Sequence, residues 1–159
     1  MLTPEQIEIL RTDMLTHSAL DVARLSGDDV TLANYYNAEA SPAYVVWKTR
    51  ITQDEIMQNG FDWTRVDNLS VGKARVWEWM FDNGQKSINA AKANVRAGID
   101  AVWVGTAADL AVRANVYVHC KRKATVFERL FATGAGSDAS PSIMTVEGRI
   151  SYAEISGAR

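Results

Sequence analysis

The sequence predicts a mainly α protein: a small bundle of about six short helices carrying an extended C-terminal β arm. Three observations lead there. Helix-capping patterns recur along the first 130 or so residues. Apolar residues between the caps recur at helical spacing, and beyond Ile143 that spacing changes to two. The expected organisation is a helical domain over residues 1–133, followed by a linker and β arm over 134–159. One domain suits 159 residues, and a chain of this size buries roughly 70% of its unfolded surface.

The first cap is Thr3-Pro4-Glu5-Gln6, with proline at the first helical position and glutamine three residues after the cap. Ile7, Leu10 and Met14 follow at helical spacing, so a helix is expected from Pro4 to Leu15. A second short helix runs from Ala19 to Leu25 and stops at Gly27; Asp28 or Asp29 then caps a third through Val30, Leu32, Ala33 and Tyr36. Asn37–Pro42 is a connector by composition. Tyr44–Trp47 is apolar and β-branched, and its periodicity does not separate a short strand from a buried helix.

Thr52-Gln53-Asp54-Glu55 is a second capping box, opening a helix that Asn59-Gly60 closes. Ser70 starts a stronger one, with Ala74, Trp77 and Phe81 on one face and Gly84 as the stop. Ser87–Asn94 reads as a connector. Val95, Ile99, Val102 and Trp103 then mark another helix, ended by Gly105. Thr106–Asp109 caps a helix over Leu110–Tyr117, and Thr125 caps Val126–Ala132 with Gly134 beyond it. After the loop Gly134–Pro141, Met144, Val146, Ile150 and Tyr152 alternate with polar residues, the pattern of a half-buried strand. Such a strand must pair somewhere, with Tyr44–Trp47 or with another molecule, so these four residues are the partner-binding candidates.

Composition excludes several functions. Apolar residues are 47% and charged residues 23%, which suits a soluble globular chain. A net charge of −2 argues against a nucleic-acid coat. No apolar run is long enough to span a membrane, and the N-terminus lacks the layout of a secretory signal. Cys120 is alone, so no intrachain disulfide is expected, and no Cys/His cluster predicts a metal.

No catalytic motif stands out. His17 reads as a helix-end histidine. His119 and Cys120 are adjacent and so do not face each other on a helix, which weakens a Cys–His nucleophile. Asp62, Asp67, Glu78 and Asp82 read as caps, turns and solvent-facing groups rather than an acid–base cluster. The chain is therefore expected to be no enzyme and to carry no cofactor. Lys121, Arg122 and Lys123, with Arg113 and Arg129 nearby, form either a solvated helix edge or a phosphate contact.

Four of the five tryptophans lie between Trp47 and Trp79. Trp77 and Trp79 point about 200° apart on a helix. With Trp77 in the core, Trp79 faces either a second packed layer or another subunit, where Trp is enriched.

Tyr35-Tyr36-Asn37 and Ser41–Trp47, Phe61–Met80, Val95–Ile99, Lys123-Ala124-Thr125, Glu128–Gly134 and Thr145–Gly148 together resemble a family of small proteins of tailed bacteriophages and prophages. The resemblance spans nearly the whole chain and brings no catalytic residues with it. It implies a structural protein encoded among head and tail morphogenesis genes. The predicted plan is similar to head-to-tail connectors (adaptors), small helical proteins with an extended arm that sit as a ring beneath the portal. That likeness implies a homo-oligomeric ring of about twelve subunits. Its partners would be the portal protein above and a tail or neck protein below, with DNA passing through and no membrane. The place would be the virion's head–tail interface, after synthesis in the host cytoplasm. The alternatives are a head decoration or minor capsid protein, a tail-completion protein, and a DNA-packaging accessory factor that binds DNA.

Overall fold

The computed structural model describes residues 2–57 and 60–159. The chain is mainly α. In order, its helices are α1 (Pro4–Thr16), α2 (Asp21–Ser26), α3 (Asp29–Asn37), α4 (Gln53–Met57), α5 (Thr64–Asp67), α6 (Val71–Phe81), α7 (Ala93–Val102), α8 (Ala107–His119), α9 (Val126–Leu130) and α10 (Tyr152–Ala158). The strands are β1 (Val45–Trp47), β2 (Ile51–Thr52), β3 (Ser87–Ile88), β4 (Lys121–Lys123), β5 (Ala132–Thr133) and β6 (Ile143–Met144). Two of these helices have no counterpart in the expected plan: α5 is a single turn, too short to show a helical period, and α10 falls where a strand was expected. The expected stop at Asn59 lies outside the described residues.

Two compact units form, and they do not divide at residue 133. Unit one joins Met1–Val46 to Lys123–Arg159, and unit two is Trp47–Arg122. The chain leaves unit one through β1 and returns through β4.

In unit one, Thr3 caps α1 in a complete box: the Gln6 amide donates to Thr3 Oγ1 at 3.3 Å and the Thr3 amide to Gln6 Oε1 at 2.9 Å. This orients Leu10 and Met14 inward, against Leu32, Ala33 and Tyr36 of α3 and Phe127 and Phe131. Gly27 ends α2 in the left-handed conformation, φ +77°. Asp28 caps α3 through the Thr31 amide at 3.0 Å.

The C-terminal segment corrects the expectation of an extended β arm. Only Ile143–Met144 is strand, and it pairs antiparallel with β5 in the register Ala132↔Met144 and Thr133↔Ile143. Ser142 adds a parallel bridge to Val46. The rest is held by side chains. Asn37 exchanges two 2.9 Å hydrogen bonds with the backbone of Ile150, and Glu128 Oε1 accepts from the Gly148 amide at 3.0 Å. These bonds satisfy inside the unit what a lone strand would have sought from a partner. Ser151 and Glu154 then form another capping box, with bonds of 3.3 and 3.1 Å, and open α10. That helix packs on α1 and α3 and buries Ile155 and Ala158 completely.

Unit two is built on an aromatic core. Trp77 stacks on Phe61 at 6.1 Å and meets Trp103 edge-on at 5.4 Å and Phe81 at 5.1 Å. Ile51, Ile56, Ile99, Val112, Val116 and Cys120 complete it. β2 and β3 pair antiparallel, Ile51↔Ile88 and Thr52↔Ser87, so the expected connector at Ser87 begins with strand. α6 packs on α7, where a Cβ on Gly98 would sit 3.3 Å from the Met80 sulfur. Thr106 and Asp109 cap α8 reciprocally, and Asp109 also accepts from Arg65 Nη2 at 2.7 Å.

Candidate interaction surfaces

α6 has two opposed apolar faces. Each residue turns the helix by about 100°, so the side chains of Trp77 and Phe81 share a direction and Trp79 points away from both. Trp77 is 5% exposed, Phe81 4% and Trp79 65%. Val71 and Val76 are exposed on the same side as Trp79, and Arg75, one turn before Trp79, makes no ion pair among the described residues. Lys73 lies beside this face, its Nζ donating to the Val104 carbonyl at 3.1 Å.

α8 repeats the pattern. Val112 and Val116 face the core while Leu110, Ala114 and Val118, at i, i+4 and i+8, face outward. Unit one exposes Val22 and Leu25 on α2. Its α1 also forms one wall of a groove of about 600 Å³ lined by Glu5, Glu8, Ile9, Thr12, Thr16 and Leu130, with Asp13 at its edge. Asp13 is engaged there, accepting from the buried Tyr36 hydroxyl at 2.8 Å. Burial and this carboxylate raise the Tyr36 pKa.

The charges divide unevenly. Unit one carries six Lys/Arg against eleven Asp/Glu, a net −5; unit two carries eleven against eight, a net +3. The whole-chain value of −2 hides this separation.

The residues expected in the arm do not form a free surface. Met144 packs with Val46 and Ala124, Ile150 belongs to the unit-one core, and Val146 packs against that core. Only Tyr152, 58% exposed, remains open. The basic run forms β4. Lys121 Nζ lies 5.9 Å from the Trp47 ring, which also has the Arg96 guanidinium over it at 4.9 Å, and Lys123 Nζ pairs with Glu39 at 2.7 Å. Arg113 sits 3.6 Å from Asp100, and Arg129 Nη1 donates to the Ser41 carbonyl at 3.4 Å.

The groups weighed for chemistry occupy structural places. Cys120 is fully buried, and burial pushes its thiol up to about 12, against formation of a thiolate nucleophile. His119 is half-buried beside it. His17 Nδ1 lies 2.8 Å from the Asp13 carbonyl at the end of α1. Asp62 accepts from the Thr64 amide and hydroxyl at 3.1 and 2.7 Å, and so works as a turn residue. Arg65 and Thr106 hold the Asp109 carboxyl down at about 2. Thr106-x-x-Asp109 was readable as a cap, whereas the Arg65 partner, 44 residues earlier, left no sequence signal.

Among the described residues, no three His, Cys, Asp or Glu side chains gather to hold a metal, and no helix is long and apolar enough to cross a membrane. No protein-family model, no curated protein and no solved structure matches the chain.

Proposed function

We propose that the chain is a non-enzymatic structural protein of a tailed-phage virion, a head-to-tail connector that assembles as a ring between portal and tail. The setting comes from the family resemblance of Ser41–Trp47, Phe61–Met80 and Glu128–Gly134. The observation that carries assembly is the exposure of Trp79 on a helix whose opposite face already fills a core. A tryptophan buries some 150–250 Å² when covered, so leaving most of one in water forfeits a large apolar gain that a partner would recover.

The device for docking differs from the arm expected in the sequence. Ile150, Ile155 and Ala158 are spent on the unit-one core, so attachment to portal and neighbour falls to helix faces instead. With unit two at +3, its surface is also the one suited to face DNA crossing the ring, without reading its sequence.

The test is the symmetry and position of this chain's density in the intact virion. A ring at the head–tail joint supports the proposal. Trimers on the capsid surface would replace it with a decoration or minor capsid role, and density only at the tail tube's end with tail completion. Absence from the virion together with salt-sensitive DNA retention would replace it with a packaging factor.

A further inference from the structure

We infer that a pocket of unit two, between residues 48–50 and 82–96, is a phosphate site that holds the sugar–phosphate backbone of DNA. The phosphate site stands on the pocket itself; that DNA supplies the phosphate rests on the reading of the chain as a connector.

The pocket has a volume of about 520 Å³, and every residue lining it belongs to unit two. Residues 48–50 and 82–96 supply the whole lining except Met80. The Ala90 amide donates to the Lys48 carbonyl at 3.1 Å, and Ile51 pairs with Ile88, so the two stretches lie side by side. Together they carry five cations, Lys48, Arg50, Lys86, Lys92 and Arg96, against one carboxylate, Asp82. Carboxylates from neighbouring elements change this balance only in part. Glu55 of α4 pairs with Lys48 at 3.3 Å, and Asp100 of α7 is held by the Tyr117 hydroxyl at 3.0 Å and Arg113 at 3.6 Å. Asp54 is exposed next to Gln53, whose amide donates to the Lys86 carbonyl at 3.4 Å. Four cations thus remain against Asp54 and Asp82, and neither of those carboxylates lines the pocket, whereas Lys92 does. Arg50, Lys86 and Lys92 are exposed and make no ion pair among the described residues.

The groups left open on the wall are mainly donors. Asn83 is consumed in shaping the loop: its Oδ1 accepts from the Gln85 and Ser87 amides at 3.3 and 3.4 Å, and its Nδ2 donates to the Ser87 carbonyl at 2.7 Å. Asn89 Oδ1 accepts from the Ala91 amide at 2.9 Å, which leaves its NH2 group for a ligand. The side chains of Gln85 and Ser87 make no hydrogen bond among the described residues. Lysine, amide and hydroxyl donors are the side chains that contact DNA phosphates, and an ionised phosphate in turn offers chiefly acceptors. One phosphate fills only a small part of 520 Å³. The remaining wall includes apolar Met80 and Val95, which suit the carbons of a deoxyribose and give a free ion nothing.

The test uses the full chain and a fluorescent DNA duplex of mixed sequence, with affinity read by anisotropy over a salt series. Lys92→Ala is expected to weaken binding about tenfold, the loss of one charged hydrogen bond, and to reduce the salt slope by about one. Arg75→Ala removes the same charge from unit two at a residue that does not line the pocket, and is expected to change affinity less than about twofold. Gly84 lies on the wall with open space around its Cβ position, so Gly84→Glu adds a carboxylate without a clash. It should cost at least several-fold more affinity than Gly84→Gln, which matches its size without the charge. Circular dichroism verifies that each variant keeps its helices.

Inorganic phosphate and the duplex are then titrated separately into isotope-labelled protein. Both are expected to shift the amide resonances of Gln85, Ser87, Asn89 and Lys92, the duplex at far lower concentration. If inorganic phosphate shifts them and DNA does not, the assignment to DNA is overturned and the pocket is a free-phosphate site. If neither shifts them, or if Arg75→Ala costs as much as Lys92→Ala, the inference fails, whatever the virion density shows. If DNA binds through the pocket but the chain is absent from the virion, the site is upheld and the connector reading falls.

Discussion

Replacing Ile155 by alanine tests whether the C-terminal segment is core or arm. The side chain is wholly buried between α10 and its neighbours α1 and α3. Burying an isoleucine contributes about 1.5–3 kcal/mol by area alone. Truncation to alanine leaves a cavity as well, which brings the expected loss to about 2–5 kcal/mol. For 159 residues each kcal/mol lowers Tm by about 2–4 °C, so a fall of at least about 4 °C is expected in thermal circular dichroism. Tyr152→Ala is the control: that side chain is 58% exposed, and its loss should stay within about 0.5 kcal/mol. An arm waiting for a partner predicts the reverse, with Ile155→Ala silent in the isolated protein. A Tm within about 1 °C of wild type for Ile155→Ala would refute the packed α10.

Three further outcomes follow from the same packing. Gly136→Ala should cost about 1–3 kcal/mol or more in urea unfolding. Gly136 sits at φ +67°, and a Cβ there would overlap the Tyr44 ring, which is fixed by Ser142 Oγ at 2.8 Å and the Gly134 carbonyl at 3.0 Å. Gly84→Ala, in open space, should be nearly neutral. The Asp109 carboxyl titrates at about 2 when folded, below its ordinary 3.8, so its stabilising contribution is full above pH 3.8 and is lost as pH falls toward 2. Asp109→Asn should therefore lower Tm at neutral pH and flatten its fall across that acid window; an unchanged acid profile would contradict the Arg65–Asp109 link. Cys120, buried and with its thiol raised to about 12, should react with a disulfide reagent at mildly alkaline pH only as urea unfolds the protein. Rapid stoichiometric labelling of the folded chain would contradict its burial.

Most of the helical plan was legible because capping is local. Thr3, Thr106 and Thr125 each bond to the residue three positions on, and that spacing is visible in the sequence. The opposition of Trp77 and Trp79 was legible for the same reason, since it follows from the helical step alone. The C-terminal error came from trusting alternation over a cap. Met144, Val146, Ile150 and Tyr152 do alternate with polar residues, yet Gly148 at φ +115° breaks the extended run. Ser151-x-x-Glu154 was the available signal for α10. The two-unit division was not legible, because it depends on Asn37 meeting Ile150 and Arg11 meeting the Ala158 carbonyl, across more than a hundred residues. The α1 groove was hidden likewise: Leu130 joins Ile9 only through the fold.

The nested arrangement of the units sets an order of events during synthesis. Unit two has all its residues once Arg122 has been added, whereas unit one lacks Ile155 and Ala158 until the ribosome has moved on by more than thirty further codons. At about 5–20 residues per second that is a delay of seconds, far longer than the microseconds in which helices form. The middle of the chain thus finishes before its beginning. The α1 groove gains its Leu130 side only after the residues of the Trp79 face are already in the chain.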